Sequence, residues 1–249
     1  IGIPFPDVDV KIASLDDGFK GLNLHEALGG VLVPGRVRDF VDGDTTLTDA
    51  TAGSHGMNTV SCIGGNKAGA YVGSAYGATF ALARTEVDAT ETPVEMLYWG
   101  LGAEWADSLG ADLITSSLGY STFDVPYPSY TFADMNGHTT DISRFAEIAA
   151  SKGILMVNSA GNGGLSKIIA PADVNGDSLI AVGAVDSSGV ITSFSSRGPS
   201  ADGRIKPDLC ARGRAAIVCS SSIPTGYGAA SGTSFSGPLL AGLAACILQ

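Results

Sequence analysis

The chain carries only three histidines, and histidine is the side chain best suited to exchange a proton near neutral pH. His55 stands in Gly53-Ser-His-Gly-Met57, directly before a run of small and apolar residues that predicts a helix. The glycine after it permits close approach of other backbone. His25 and His138 are interpreted as surface residues without a chemical role. His55 is therefore the candidate base.

Two further side chains could complete a relay with this base. Asp16 ends an apolar run, so its carboxylate should be buried and would need a hydrogen bond or a cationic partner, such as a charged imidazole. The alternative is that Asp16 only opens a turn after a strand. Ser234 precedes an apolar run, and free N–H groups at a helix start favour negative charge. Taken alone, this segment is better explained as a helix cap in a glycine-rich turn.

Asn162 is the fourth candidate, in Ser159-Ala-Gly-Asn-Gly-Gly164, where a strand runs into a glycine turn. Asn in such a turn is usually structural, because it tolerates left-handed backbone angles. Its amide could instead donate a hydrogen bond to an oxyanion. Acyl transfer by serine needs a nucleophile, a base and an acid that orients the base. Together, the four candidates offer one complete chemistry.

The order of these residues and the segments around them resemble the subtilisin-like serine proteases, the subtilase or peptidase S8 family. Gly232-Thr-Ser-Phe-Ser-Gly-Pro238 resembles the family's nucleophile motif, and Ser54-His-Gly-Met-Asn-Thr59 resembles its histidine motif. Six more segments resemble the family, at residues 12–18, 116–119, 159–164, 181–186, 194–199 and 203–208. The resemblance covers nearly the whole chain.

This resemblance implies a serine endopeptidase that hydrolyses peptide bonds through an acyl-enzyme intermediate. Ser234 would attack the carbonyl carbon, and His55 would carry the proton to the leaving amine. Asp16 would hold His55 and stabilise its charged form. Asn162 and the backbone N–H of Ser234 would bind the oxyanion. The implied partner is a peptide or protein substrate.

The resemblance also implies where the substrate would bind. The peptide would add as a strand to an exposed edge. The residues of that edge are Ser117, Leu118 and Gly119. The first specificity pocket would be lined by Ser159, Ala160 and Gly161. Gly163 stands where many relatives carry an acid, so we expect no strong preference for a basic side chain in that pocket.

Three features depart from the family pattern. Met57 and Asn58 replace the usual threonine and histidine after His-Gly. Ser236-Gly237 replaces Ala-Ser beside the nucleophile. The chain also stops about four helical turns after Ser234. An apolar helix ending there would leave core surface uncovered, so we expect a fragment or a longer natural protein.

Other functions stay open at this point. A catalytically silent relative could bind peptides or serve as a scaffold, although all four candidate side chains are present. A nucleotide-binding α/β domain is disfavoured, because Gly64-Gly-Asn-Lys-Ala-Gly69 does not match a phosphate loop. An esterase or a peptide ligase would use the same acyl-enzyme chemistry.

Strand-like and helix-like segments alternate along the chain and must position these residues. Apolar runs predict strands buried on both faces at residues 10–15, 77–83, 113–118, 153–157 and 179–185. Between them, two sets of apolar residues are each spaced for one helix face: Val94, Leu97, Tyr98, Leu101 and Trp105, then Ile142, Phe145, Ala146, Ile148 and Ala149. The alternation predicts an α/β fold, with a mainly parallel sheet between helices and sites at the carboxyl ends of the strands. We expect one domain over residues 1–249, three-layered and subtilisin-like by resemblance.

The composition restricts the partners and the compartment. The 249 residues include 14 basic and 25 acidic ones, a formal net charge of -11, which argues against nucleic acid. No apolar stretch is long enough to span a bilayer. An acidic surface and protein substrates together favour a secreted, periplasmic or cell-surface location.

Two further features concern stability. Asp39, Asp42, Asp44 and Asp49 fall in one polar loop, and the relatives this chain resembles often carry structural calcium, an ion that prefers oxygen ligands. A solvated acidic loop without a required cofactor is nevertheless favoured. The four cysteines, Cys62, Cys210, Cys219 and Cys246, are expected to be buried free thiols, with a disulfide between the middle two left open.

Overall fold

The computed structural model describes residues 9–49, 51–165 and 167–249. Its centre is a sheet of seven strands, and every neighbouring pair is parallel. In spatial order these are β2 (Val37–Asp39), β5 (Thr79–Arg84), β1 (Lys11–Asp16), β6 (Leu113–Ser116), β7 (Leu155–Ser159), β8 (Leu179–Val185) and β9 (Leu209–Arg212). The five predicted strands are confirmed, each within two residues of its expected bounds.

Two short antiparallel hairpins lie outside this sheet. The first pairs β3 (Asn66–Lys67) with β4 (Tyr71–Val72). The second pairs β10 (Ala216–Cys219) with β11 (Tyr227–Ala230) and packs beside the first helix. This second hairpin leads directly into the segment that carries Ser234.

Helices cover both faces of the sheet, which confirms the α/β, three-layer arrangement. On one face, α1 (His55–Gly64) packs against α4 (Thr233–Leu248). On the other, α2 (Val94–Ser108) packs against α3 (Asp141–Ser151). Strand alternation divides the core accordingly, so that in β1 Ile12 joins the α1 side and Leu15 the α2 side. Among the described residues, no helix has the length and apolar character needed to cross a membrane.

The second helix forms where predicted, but its predicted face points outward. Val94, Leu97 and Leu101 are 40%, 50% and 48% exposed, whereas Trp99 is fully buried. Trp99 Nε1 donates a hydrogen bond to Ser116 Oγ at 3.0 Å, so the inward face satisfies a buried hydroxyl as well as burying the largest side chain. Apolar spacing alone identified one apolar face of α2, but it did not show which face of the helix packs against the sheet.

The cysteine expectation is correct for two of the four residues. All four thiols are free, so the disulfide that was left open does not form. Cys62 and Cys219 are buried, while Cys210 and Cys246 are exposed.

Candidate active site

Asp16 and His55 come together at the carboxyl end of β1. Asp16 is the last residue of that strand and is only 1% exposed. Its Oδ1 accepts a hydrogen bond from His55 Nδ1 at 2.6 Å, and its Oδ2 accepts one from Thr59 Oγ1 at 3.0 Å. Thr59 lies one turn after His55 in α1, so helix periodicity brings both donors to the same carboxylate. The buried charge is therefore fully engaged, as its burial requires.

The Asp16 carboxylate governs the protonation of His55. Partial burial of the imidazole lowers its pKa, but the charge of Asp16 and its hydrogen bond more than offset this, so the pKa of His55 rises to about 9. The proton on Nδ1 is held by Asp16, which leaves Nε2 as the nitrogen that can exchange a proton. This is the arrangement that a base requires when it becomes charged during the reaction.

Asp17 holds the start of α1, although sequence reasoning did not single it out. Its Oδ1 accepts from the Gly56 N–H at 3.0 Å, and its Oδ2 accepts from the His55 N–H at 3.3 Å. Burial raises the pKa of Asp17 to about 8, and the neighbouring Asp16 charge adds to the rise. Gly56 must lack a side chain, because a Cβ there would lie 2.5 Å from the Gly18 carbonyl oxygen. The signal in the sequence that could have identified Asp17 is its place directly after Asp16, in Asp16-Asp-Gly18.

Ser234 is the second residue of α4, and the start of this helix lies near His55, the first residue of α1. The ring centroids of Phe235 and His55 are 6.1 Å apart, and Ser117 Oγ donates to the Ser234 carbonyl oxygen at 3.0 Å. Among the described residues, Ser234 Oγ forms no hydrogen bond, and so none to His55. Nucleophile–base hydrogen bonds often tighten only when substrate is bound.

Asn162 lies beside the backbone N–H of Ser234. Its Oδ1 accepts from Thr233 N at 2.9 Å and from Thr233 Oγ1 at 3.2 Å, which fixes the amide so that Nδ2 is the free donor. A Cβ on Gly232 would lie 3.6 Å from Asn162 Nδ2 and 3.7 Å from Ser234 N, so both donors border the same space. Thr233 also accepts from Gly161 N at 3.1 Å. The role of Thr233 in positioning Asn162 was not predicted from the sequence.

The predicted substrate edge follows β6 directly. Within the described part of the chain, the backbone groups of Ser117 and Gly119 pair with no other backbone group. The Leu118 carbonyl accepts from Asn158 Nδ2 at 3.0 Å, and the same amide donates to the Ser159 carbonyl at 2.8 Å. A single buried side chain thus ties the edge to the end of β7.

The residues predicted to line the first specificity pocket are packed under the start of α4. Ser159 and Ala160 are buried, and a Cβ on Gly237 would lie 3.5 Å from Ser159 N. Gly161 has a φ of +98°, a conformation that glycine adopts readily. A pocket wall formed by this segment would therefore be mostly backbone.

The other two histidines differ from each other. His138 is exposed and contacts Glu147, as expected of a surface residue. His25 is buried, which corrects the expectation: its Nε2 lies 2.8 Å from the Gly226 carbonyl oxygen, and its Nδ1 accepts from Ala27 N at 3.2 Å. With both nitrogens engaged by backbone, His25 has a structural role.

The residues that depart from the family pattern are structural in this fold. Met57 is fully buried in the core. Asn58 Nδ2 donates to the Cys219 carbonyl oxygen at 2.7 Å and so connects α1 to β10. Ser236 Oγ donates to the Thr233 carbonyl oxygen at 2.9 Å within α4.

Of the four carboxylates in the acidic loop, Asp42, Asp44 and Asp49 are exposed, but Asp39 is fully buried, which corrects the expectation of a solvated loop for that residue. All four are already engaged. Arg84 Nη1 lies 3.1 Å from Asp39 Oδ2 and 2.8 Å from Asp42 Oδ2. Asp44 and Asp49 each accept backbone N–H groups of the same loop. A guanidinium in contact with two of the four carboxylates would repel a cation, so this donor set does not fit a calcium ion.

Comparison with known proteins places the site in a family. The profile described as "Subtilase family" matches residues 7–249. Subtilisin E of Bacillus subtilis (strain 168) is 31% identical over 249 residues, which span 97% of this chain and 56% of that protein. Subtilisin-like protease SBT6.1 of Arabidopsis thaliana is 34% identical over 169 residues, 64% of this chain and 14% of that protein. The chain thus spans about half or less of the length of these two relatives.

Solved structures agree with the fold. A cold-adapted subtilisin-like serine proteinase matches with a TM-score of 0.72 and 26% identity over 97% of this chain and 76% of that one. The prenylagaramide maturation protease PagA matches with a TM-score of 0.72 and 22% identity over 96% of this chain and 74% of that one. At that identity, the second match supports the fold alone.

Proposed function

The chain belongs to the subtilase family, and from this premise we propose that it is a serine endopeptidase acting through Asp16, His55 and Ser234. The observation that carries the proposal is the 2.6 Å hydrogen bond from His55 to buried Asp16, beside the start of α4, which carries Ser234. Ser234 Oγ attacks the peptide carbonyl carbon while His55 Nε2 takes its proton. His55 then protonates the leaving amine, and water hydrolyses the acyl-enzyme by the same steps.

The oxyanion of the tetrahedral intermediate would lie between Asn162 Nδ2 and Ser234 N. The two donors border one space, and Thr233 fixes the amide that supplies one of them. Both donors are held in place before the substrate binds, and such preorganisation is what makes oxyanion donors effective. A peptide strand would pair with the free backbone groups of Ser117 and Gly119.

Replacing Asn162 by Ala should lower kcat about 10²–10³-fold with little change in KM, a loss of the size measured for such a donor in subtilisin. The reason is that this donor acts on charge that develops only in the transition state. Steady-state hydrolysis of a fluorogenic peptide measures both constants. Asn175→Ala, which removes an exposed amide elsewhere, is the matched control. A loss below tenfold in kcat would contradict the role.

A fluorophosphonate probe tests the proposal most directly, because it labels only a serine that is activated as a nucleophile. Intact mass should show one adduct on the wild-type chain and on Ser231→Ala, and none on Ser234→Ala. Labelling of Ser234→Ala, or none on a folded wild-type chain, would overturn it. The second result would favour the catalytically silent relative, a reading that the present geometry does not favour. Esterase or ligase activity would label equally, so peptide hydrolysis is measured beside it.

We propose further that Arg84 neutralises the acidic loop, with no calcium ion required there. Asp39 is fully buried and its ion pair with Arg84 is largely shielded from solvent. Chelator should therefore leave the melting temperature unchanged, whereas Arg84→Met should cost about 3–5 kcal/mol by leaving a buried carboxylate unpaired. Arg36→Met, at a half-buried arginine in the loop before β2, is the control. A fall in melting temperature on adding chelator would support calcium at this loop.

The proposed location is outside the cytoplasm. The net charge of -11 and protein substrates favour it, and it is tested by fractionating cells that express the natural protein.

A further inference from the structure

A cleft of about 590 Å³ opens from His55 along the substrate edge, and its wall is strongly acidic. Five of its twelve lining residues are carboxylates and none is Lys or Arg. The acidic residues are Asp17, Glu86, Asp88, Glu91 and Asp124. His55, Ser117, Leu118 and Gly119 line the same cleft, so a peptide bound at the proposed site must lie against this wall. A second cavity, between α2 and α3, shares no residue with it.

Glu91 is a residue of this wall whose charge is poorly compensated. Among the described residues its carboxylate accepts no hydrogen bond, although the side chain is half-buried. Its backbone is held firmly: Glu91 N donates to Asp124 Oδ2 at 3.0 Å, and Asp124 N donates to the Glu91 carbonyl oxygen at 2.9 Å. Burial raises the pKa of Glu91 to about 7, and repulsion from Glu95 and Asp124 adds to the rise. A cation at this point would relieve both costs.

Two carboxylates near Glu91 are held in place by hydrogen bonds. Tyr120 OH donates to Glu86 at 2.9 Å, and buried Glu95 accepts from Val87 N and Thr92 N. Oxygens of Glu86, Glu91 and Glu95 lie within 4.8 Å of one another. Glu86 and Glu95 are therefore held in place before a ligand arrives, and a cation binding there would not have to order these two carboxylates.

From this lining and its place beside His55, we propose that the cleft binds a cationic side chain, Lys or Arg, of the peptide substrate at a position near the scissile bond. The inference rests on the proposed endopeptidase function and adds a substrate class to it. The acidic wall is separate from the first specificity pocket near Gly163, so the two expectations do not conflict: no strong preference for a basic side chain is expected in that pocket. Electrostatic complementarity, rather than an apolar pocket, would then determine which peptides are cleaved fastest.

Matched internally quenched peptides test this, with Lys, Arg, norleucine or Glu placed in turn at each of four positions on both sides of one scissile bond. At one position at least, Lys or Arg should raise kcat/KM about tenfold or more over norleucine, an advantage that falls with added salt. The double variant Glu86→Gln/Glu91→Gln should reduce that ratio to about threefold or less. Glu104→Gln, which removes an exposed charge from α2 at the second cavity, should leave it unchanged.

The outcomes separate this inference from the function on which it rests. Cleavage of all peptides with a Lys to norleucine ratio near one overturns the inference and leaves the endopeptidase intact. If no peptide is cleaved, the endopeptidase proposal fails, and fluorescence anisotropy with Ser234→Ala still compares binding of the Lys and norleucine peptides. Equal binding there overturns the inference. Titration with calcium ion alone tests whether the cleft binds a metal ion instead. The inference would be overturned in favour of a metal site if calcium bound tightly, if Glu91→Gln abolished that binding, and if the preference for Lys peptides were lost in calcium.

Discussion

Replacing Ser234 by Ala should lower kcat for peptide hydrolysis about 10⁶-fold, the size of the loss when subtilisin loses its nucleophile. The reason is that Oγ forms the bond to the substrate carbonyl carbon in the proposed mechanism, and no neighbouring group can take its place. Ser236, two residues on, is fully buried and its hydroxyl is already bonded within α4. A residual acceleration of about 10³–10⁴ over water should remain, since the oxyanion donors and the substrate edge are untouched.

The measurement is steady-state hydrolysis, with kcat and KM determined separately. KM should change little, because Ser234 Oγ makes no hydrogen bond in the described structure and its removal disturbs no contact that positions the peptide. For the same reason the free energy of unfolding should shift by less than about 1 kcal/mol. Ser231→Ala removes an exposed serine three positions earlier and should retain full activity. A Ser234→Ala chain within tenfold of wild type would show that another residue is the nucleophile.

Asp16 and Ser234 could be predicted as site residues from the sequence, because each stands at one end of a regular secondary-structure element. Asp16 follows an apolar strand and Ser234 precedes an apolar helix, and parallel strands bring their carboxyl ends to one edge. The residues that hold the candidates in place could not be predicted equally well. Thr59 and Thr233 act through one hydroxyl each, and a threonine in a helix turn carries no signal of what its hydroxyl will meet.

Burial was the least predictable property. His25 stands in a polar stretch, yet Gly226, some 200 residues away in the chain, supplies the carbonyl that makes its burial acceptable. The acidic wall is another case: Glu86 and Glu91 come from the segment after β5, and Asp124 comes from the loop after β6. The wall forms only when the tertiary structure brings the two segments together. Counting charged residues along the sequence gives the net charge of the chain, but it does not show where that charge is concentrated.

Replacing Asp16 by Asn should lower kcat about 10⁴-fold, because a neutral amide neither stabilises the charged imidazole nor holds its proton on Nδ1. The more specific expectation concerns pH. Only neutral His55 can accept a proton, so kcat/KM of the wild type should rise with pH through the pKa of His55, which Asp16 raises to about 9. In Asp16→Asn that raising charge is lost, and the rising limb should move to lower pH. Thr59→Val, which removes one hydrogen bond but keeps the charge, should lower kcat modestly and leave the limb in place.

The same pair should make stability depend on pH with a defined sign. The pKa of His55 is higher in the folded chain than its ordinary value of 6.5, so the folded state binds the proton more tightly than the unfolded state. The stabilisation from this pair is fully present below about pH 6.5 and is lost as pH rises through about 9. Urea unfolding of wild type and Asp16→Asn at several pH values should therefore show a difference that shrinks over this window. A difference that stays constant from pH 6 to 10 would mean that Asp16 does not hold a proton on His55, and the proposed relay would lose its first member.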